Sequence, residues 1–115
     1  MINWTSIKQP SQIDEIIELS RQQTCLIYKH SPTCSISSMA RYRLEGGWDF
    51  EEQDLATFFV DVVYDRPLSQ QVAQTFGIRH ESPQVLVIKD GQCIHHSSHL
   101  DISVRDLKGV VESPM

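Results

Sequence analysis

The polar and apolar positions change period several times along the chain, and each change marks an element. Trp4 to Ile7 reads as a short edge strand. Ser11-Gln12-Ile13-Asp14 fits a Ser-x-x-Asp capping pattern, and Ile13, Ile16, Ile17 and Ser20 then fall on one side of the helix it opens. Thr24-Cys25-Leu26-Ile27-Tyr28-Lys29 is a nearly continuous apolar run with no helical period, as expected of a strand covered on both faces. After His30-Ser31-Pro32-Thr33, a helix is predicted from about Cys34. Its apolar positions Ile36, Met39, Ala40 and Leu44 face inward, and Gly46-Gly47 stops it.

A second apolar run, Ala56 to Val63, predicts the next strand, while Trp48 to Glu52 fits either a loop or a further helical turn. Pro67 suits the first position of another helix, where its missing N–H costs nothing; Leu68, Val72 and Phe76 give that helix its apolar face and Gly77 its cap. Gln84–Lys89 and Cys93–His96 flank Asp90-Gly91, a strong hairpin signal. A last helix from about Ser103 carries Leu107, Val110 and Val111 on its inner side. The order is β-α-β-α-β-α-β-β-α. Runs separated by helices imply parallel pairing, and the hairpin adds an antiparallel edge. This order belongs to an α/β domain of the thioredoxin-like kind, a central mixed sheet flanked by helices, occupying residues 1–115 as one unit.

Charge narrows the function. Ten Lys and Arg stand against fifteen Asp and Glu, a net charge of −5. A nucleic-acid surface needs a dense basic face, so nucleic acid is not an expected partner. No stretch approaches the roughly 20 apolar residues of a membrane span, and Met1 to Thr5 lacks a signal pattern. A cytoplasmic location without membrane contact is the expectation. Three cysteines, Cys25, Cys34 and Cys93, argue against a disulfide scaffold, and no Cys/His spacing matches a closed zinc site. His95 and His96 point to opposite faces of one strand and do not chelate together; no metal is expected.

Cys34 sits where a predicted central strand turns into a helix. Free N–H groups and the helix dipole there favour a thiolate, the attacking species of thiol–disulfide exchange. Most free cysteines are small buried hydrophobes, but the strand-to-helix position favours chemistry. Cys34-Ser35-Ile36-Ser37 is a C-x-x-S arrangement: the Ser37 hydroxyl can donate to a thiolate but cannot close a disulfide, so exchange stops at a mixed disulfide until another thiol arrives. Ser82-Pro83 opens the hairpin strand at the position where thioredoxin-like folds carry a cis-proline facing the active cysteine. Trans is nonetheless the default for any X–Pro bond. Cys25 reads as core and Cys93 as partly exposed, neither with a resolving role.

The segments Tyr28–Ser37, Arg66-Pro67-Leu68-Ser69 and Phe76–Val85, the last containing His80-Glu81-Ser82-Pro83-Gln84, resemble the YtxJ-like family, the monothiol bacilliredoxins. The resemblance covers nearly the whole chain. It implies a thioredoxin-like fold in the cytosol and removal of bacillithiol, a low-molecular-weight thiol, from client proteins that carry it as a mixed disulfide. On that reading Cys34 and Ser37 are the catalytic pair; Thr33, Ser35, Ser82, Pro83, His30 and His80 line the substrate site. Lys29 or Arg79 are further candidates to meet the acidic end of the small thiol. Bacillithiol is a co-substrate, and no redox cofactor is bound. The family motif Thr-Cys-Pro-Ile-Ser reads Thr33-Cys34-Ser35-Ile36-Ser37 here, with serine in place of proline. Two other functions fit the same frame: a glutaredoxin-like reductase using another small thiol, and a redox-inert domain that docks a partner.

Overall fold

The computed structural model describes residues 2–112. Its elements run β1 (Thr5–Ser6), α1 (Ser11–Leu19), β2 (Cys25–His30), α2 (Ser35–Gly47), β3 (Ala56–Asp61), α3 (Arg66–Phe76), β4 (Gln84–Lys89), β5 (Gln92–Ser98) and α4 (Val104–Val111), with a 3₁₀ turn at His99–Asp101. The sheet order is β1-β3-β2-β4-β5. β1 and β2 both run parallel to β3; β4 is antiparallel to β2, and β5 to β4. This is the thioredoxin-like α/β frame expected from the sequence.

β2 is central, and all six of its residues are buried. The alternation of side chains along it divides the core into two halves. Leu26 and Tyr28 pack with Val85 and Val87 beneath Ala40 and Leu44 of α2 and Leu107 of α4. Cys25 and Ile27 pack on the other face with Leu86 and Ile88, against Ile13 and Ile16 of α1 and Leu68 and Val72 of α3. Each fully buried aliphatic side chain contributes about 1.5–3 kcal/mol, which fixes both the strand's place and its register.

Several local features differ from the expectation. Ser11 does not cap α1: Pro10 takes that position, and no side-chain capping bond forms. The longer Gln12 side chain reaches back instead, its Oε1 accepting from the amides of Lys8 at 2.6 Å and Gln9 at 2.9 Å. Gly46-Gly47 does not stop α2, which includes both residues and ends where Trp48 becomes extended. Trp48 leaves the helix to pack edge-on against Phe50, 4.8 Å between ring centroids. β3 stops at Asp61, whose carboxylate accepts from the amides of Val63 at 2.8 Å and Tyr64 at 2.9 Å and so turns the chain out of the sheet. Pro67 is the second helical residue of α3, after Arg66, with Asp65 as cap.

Two turns are as expected. Gly77 closes α3 at φ 68°, and the hairpin places Asp90 at φ 51° and Gly91 at φ 78°. Both turn residues thus have the left-handed backbone of a type I′ turn.

Candidate active site

The site is built where β2 runs out. His30, its last residue, pairs with Asp61 of β3, and its carbonyl accepts from the Val62 amide at 2.9 Å. Three residues then lead to Cys34, which occupies the N-cap of α2 in an extended conformation (φ −111°, ψ 122°). Its carbonyl already accepts the first helical bond, from the Ser38 amide at 3.2 Å. The thiol is partly exposed.

The Cys34 sulfur closes no capping hydrogen bond of full geometry. The amide of Ser37, then that of Ile36, nonetheless polarise it and hold the thiol below its ordinary pKa; the Ser37 hydroxyl adds to this and desolvation opposes it. The cause is the helix N-terminus, where amides lack intrahelical partners. Ser37 is fully buried. Its Oγ accepts from the Ser31 amide at 3.2 Å, which leaves the hydroxyl proton free to turn toward the sulfur. Ser37 therefore has two tasks, bracing the strand-to-helix turn and favouring the thiolate.

Pro83 lies at the same end of the sheet. The register pairs Lys29 with Gln84, so the antiparallel neighbour of His30 is Pro83. Pro83 is buried, its bond to Ser82 is cis, and its carbonyl accepts from the His99 amide at 3.0 Å. The fold thus brings Cys34, Ser37, His30 and the Ser82-Pro83 pair to one edge. Thr33 and Ser35 are exposed beside the thiol, and the hydroxyls of Thr33 and Ser31 lie 3.3 Å apart.

The charged candidates are distributed differently. His30 is buried between the rings of Tyr28 and Phe59, centroids at 5.8 and 5.3 Å. Burial first and the nearby Arg41 second push its pKa down, against Asp61 and Glu45, so it is a neutral imidazole. Its Nδ1 and the Ser82 hydroxyl are buried without a hydrogen-bond partner. Lys29, considered for the acidic end of a small thiol, is fully enclosed instead. Its Nζ lies 3.0 Å from Nδ1 of His80, and the same nitrogen is 3.2 Å from Ser69 Oγ.

Ile36 and Met39 do not face the core as the helical period suggested; they are 38% and 55% exposed, and the buried stripe of α2 is Ser37, Ala40 and Leu44. With Cys34 as cap, Ser37 is the residue that turns into the sheet end. Two contacts went unseen in the sequence: the Tyr28 hydroxyl donates to the Ser37 carbonyl at 2.9 Å, and Ser31 binds Ser37. Nothing local in the sequence marks the Tyr28 hydroxyl, because its acceptor is on the next element.

The other cysteines are remote. Cys25 begins β2, whose end supplies the site, about 16 Å away at roughly 3.3 Å per residue. Cys93 pairs with Ile88, which pairs with Cys25, so it lies at the far end too. Burial raises both thiols, Cys25 to about 11. Separated by the intervening β4, they are also too far apart to bridge each other. Among the described residues no group of three or more His, Cys, Asp or Glu is placed to hold a metal, and no helix is long and apolar enough to cross a membrane.

A thioredoxin-like sheet with one polarised thiol at the N-terminus of α2, and serine where a partner thiol would stand, defines the class: a monothiol thioredoxin-fold protein. The chain belongs to the monothiol bacilliredoxin BrxC family, whose family model matches residues 5–107. A solved thioredoxin-fold protein named for a proposed oxidoreductase role superposes with a TM-score of 0.80 at 27% identity, over 96% of this chain and 94% of that one. The thioredoxin of Malassezia sympodialis aligns at a TM-score of 0.71 and 20% identity, over 97% and 90% of the two chains. Fasciola hepatica thioredoxin gives 0.69 and 14%, over 93% and 95%. The last two share the fold. Family and fold together give a thiol–disulfide redox function.

Proposed function

We propose that the protein removes bacillithiol from mixed disulfides on client proteins by monothiol exchange through Cys34. The Cys34 thiolate attacks the bacillithiol sulfur. A new S–S bond forms to Cys34 as the client's S–S bond breaks, and the client leaves as a thiolate that takes a proton from water. A second small thiol, as thiolate, then attacks the bacillithiol sulfur, releasing a small-molecule disulfide and the Cys34 thiolate. Each step exchanges one disulfide for another, so no bound redox cofactor takes part.

The observation that carries this reading is the isolation of Cys34: its sulfur is polarised by the amides of Ser37 and Ile36, while buried Cys25 and half-buried Cys93 lie at the opposite end of the sheet. An intramolecular disulfide has no partner to form with. Two further features support the substrate assignment. The unpartnered Nδ1 of His30 and hydroxyl of Ser82, at the same sheet edge, suit a polar small thiol. Exposed Ile36 and Met39 beside the thiol suit a polypeptide. A reducing compartment such as the cytoplasm is consistent with three free thiols.

Intact-mass spectrometry after incubation with bacillithiol disulfide tests the assignment. One adduct on the wild type, absent in Cys34→Ser, is the expected result. An adduct that survives the substitution removes Cys34 from the role; no adduct at all overturns bacillithiol as the substrate, and a Cys34 that also fails to exchange with other disulfides leaves a partner-docking domain as the better account.

A further inference from the structure

The most unusual group in the molecule is outside the thiol's immediate surroundings. Lys29 is fully buried on the face of β2 that packs against α1 and α3. Burial alone brings its pKa down to about 8, with no carboxylate acting to restore it. A buried ammonium without a counter-charge is costly and is retained only for a return elsewhere. Its one hydrogen-bonding neighbour among the described residues is His80 Nδ1, at 3.0 Å.

An ammonium has only donors, so His80 Nδ1 must be an acceptor and the ring neutral, with its proton on Nε2. Ser69 of α3, also fully buried, approaches the same nitrogen at 3.2 Å. His80 is thus tied to β2 and to α3 together. It stands in the segment that leads through Glu81 and Ser82 to Pro83. That segment has other ties: Gln84 Nε2 donates to the Arg79 carbonyl at 3.0 Å, Gln84 Oε1 accepts from the Glu81 amide at 3.4 Å, Ser98 Oγ donates to Glu81 Oε1 at 2.7 Å, and the Pro83 carbonyl accepts from the His99 amide at 3.0 Å. Of these ties, the one through His80 reaches Ser69 of α3 and the buried face of β2 beneath it.

We propose that Lys29 is a positioning residue for disulfide exchange, acting through His80 to hold the segment carrying Ser82 and Pro83 at the Cys34 edge of the sheet. The inference rests on Cys34 as the exchanging thiol. In-line attack needs three sulfurs aligned along that edge, whereas simple alkylation of the thiol does not. Protonation of His80 breaks the tie, because its Nδ1 then presents a donor and a positive charge to the Lys29 ammonium. The groups facing His80 are Lys29 from β2, Arg66 from α3 and Glu81 from its own segment. Burial, Lys29 and Arg66 all hold its pKa below the usual histidine value and Glu81 opposes them, so the tie persists at neutral pH and is lost in acid.

The test compares wild type, Lys29→Met and His80→Gln across pH. Two rates are measured at Cys34: exchange with the aromatic disulfide dithiobis(nitrobenzoate), and alkylation by iodoacetamide, which reports the thiolate alone. His80 is titrated in parallel by NMR. In the wild type the ratio of exchange to alkylation is expected to fall at least fivefold as pH drops through the His80 midpoint. In Lys29→Met the ratio is expected to be about tenfold lower at neutral pH, with the His80 midpoint displaced upward, while the thermal unfolding midpoint holds or rises because a buried charge has gone. His80→Gln, which keeps an acceptor that does not titrate, should make the ratio flat with pH. A wild-type ratio already flat, or one unchanged in Lys29→Met, overturns the proposal. Failure of bacillithiol disulfide alone, with these ratios behaving as stated, strikes only the substrate assignment.

Discussion

The hydroxyl of Tyr28 donates to the carbonyl of Ser37 at 2.9 Å, joining the central strand to the first turn of the helix that bears the thiol. Both residues are fully buried. The bond fixes how α2 is rotated about its axis, and hence which side chains of that turn face the sheet. Ser37 in turn holds the Ser31 amide at 3.2 Å, so strand, turn and helix form one braced unit around Cys34.

Tyr28→Phe keeps the ring and removes the donor. The Ser37 carbonyl lies inside α2 and keeps its helical bond, so the loss is that of one net hydrogen bond, about 0.5–1.5 kcal/mol. Denaturant titration should show a loss in that range, with the slope of the transition unchanged. A loss under about 0.5 kcal/mol would mean that the brace is dispensable.

Ser37→Ala removes one of the groups favouring the Cys34 thiolate but leaves both amides. The midpoint of Cys34 alkylation against pH lies below the ordinary thiol value in the wild type and should move upward in the variant, the amides keeping it short of that of a free thiol. A thiol with a depressed folded-state pKa contributes stability above its unfolded value, and this is lost as pH falls through the folded midpoint. An unmoved midpoint in Ser37→Ala would assign the whole effect to the amides.

Much of this arrangement was legible in the chain, for physical reasons. A strand covered on both faces must be apolar throughout, so Cys25–Tyr28 announced the centre of the sheet. A cysteine between such a strand and a helix must be near the helix N-terminus, so Cys34 could be placed from local order alone. The facing of α2 could not. Both of its sides carry apolar residues, Ile36 and Met39 on one, Ala40 and Leu44 on the other, and periodicity does not rank two stripes. The enclosure of Lys29 was equally hidden: its partner His80 is 51 residues away, and only the folded sheet brings them to 3.0 Å.

The placement of the three thiols makes a separate claim. Cys93→Ser and Cys25→Ala are each expected to leave exchange at Cys34 within about twofold of wild type. Non-reducing peptide mapping after mild oxidation should recover Cys34 joined to a small thiol and never to either of the others. An internal disulfide from Cys34 to Cys25 or to Cys93 would require β2 or β5, respectively, to leave the sheet, and finding one would overturn the monothiol mechanism.

Ser35 stands where the family motif has proline, and the backbone already suits that residue. Ser35 is the first helical position of α2, where an amide has no intrahelical acceptor to lose. The preceding Cys34 is extended, at φ −111° and ψ 122°, the region that a following proline favours. Ser35→Pro therefore fits without rearrangement, and it restricts the unfolded chain. A gain of about 0.4–1 kcal/mol is expected on denaturant titration. The amides that polarise Cys34 belong to Ser37 and Ile36, so the alkylation midpoint should stay where it is. A loss of stability would show that the Ser35 amide has a partner in solution. A raised midpoint would show that it contributes to the thiolate after all.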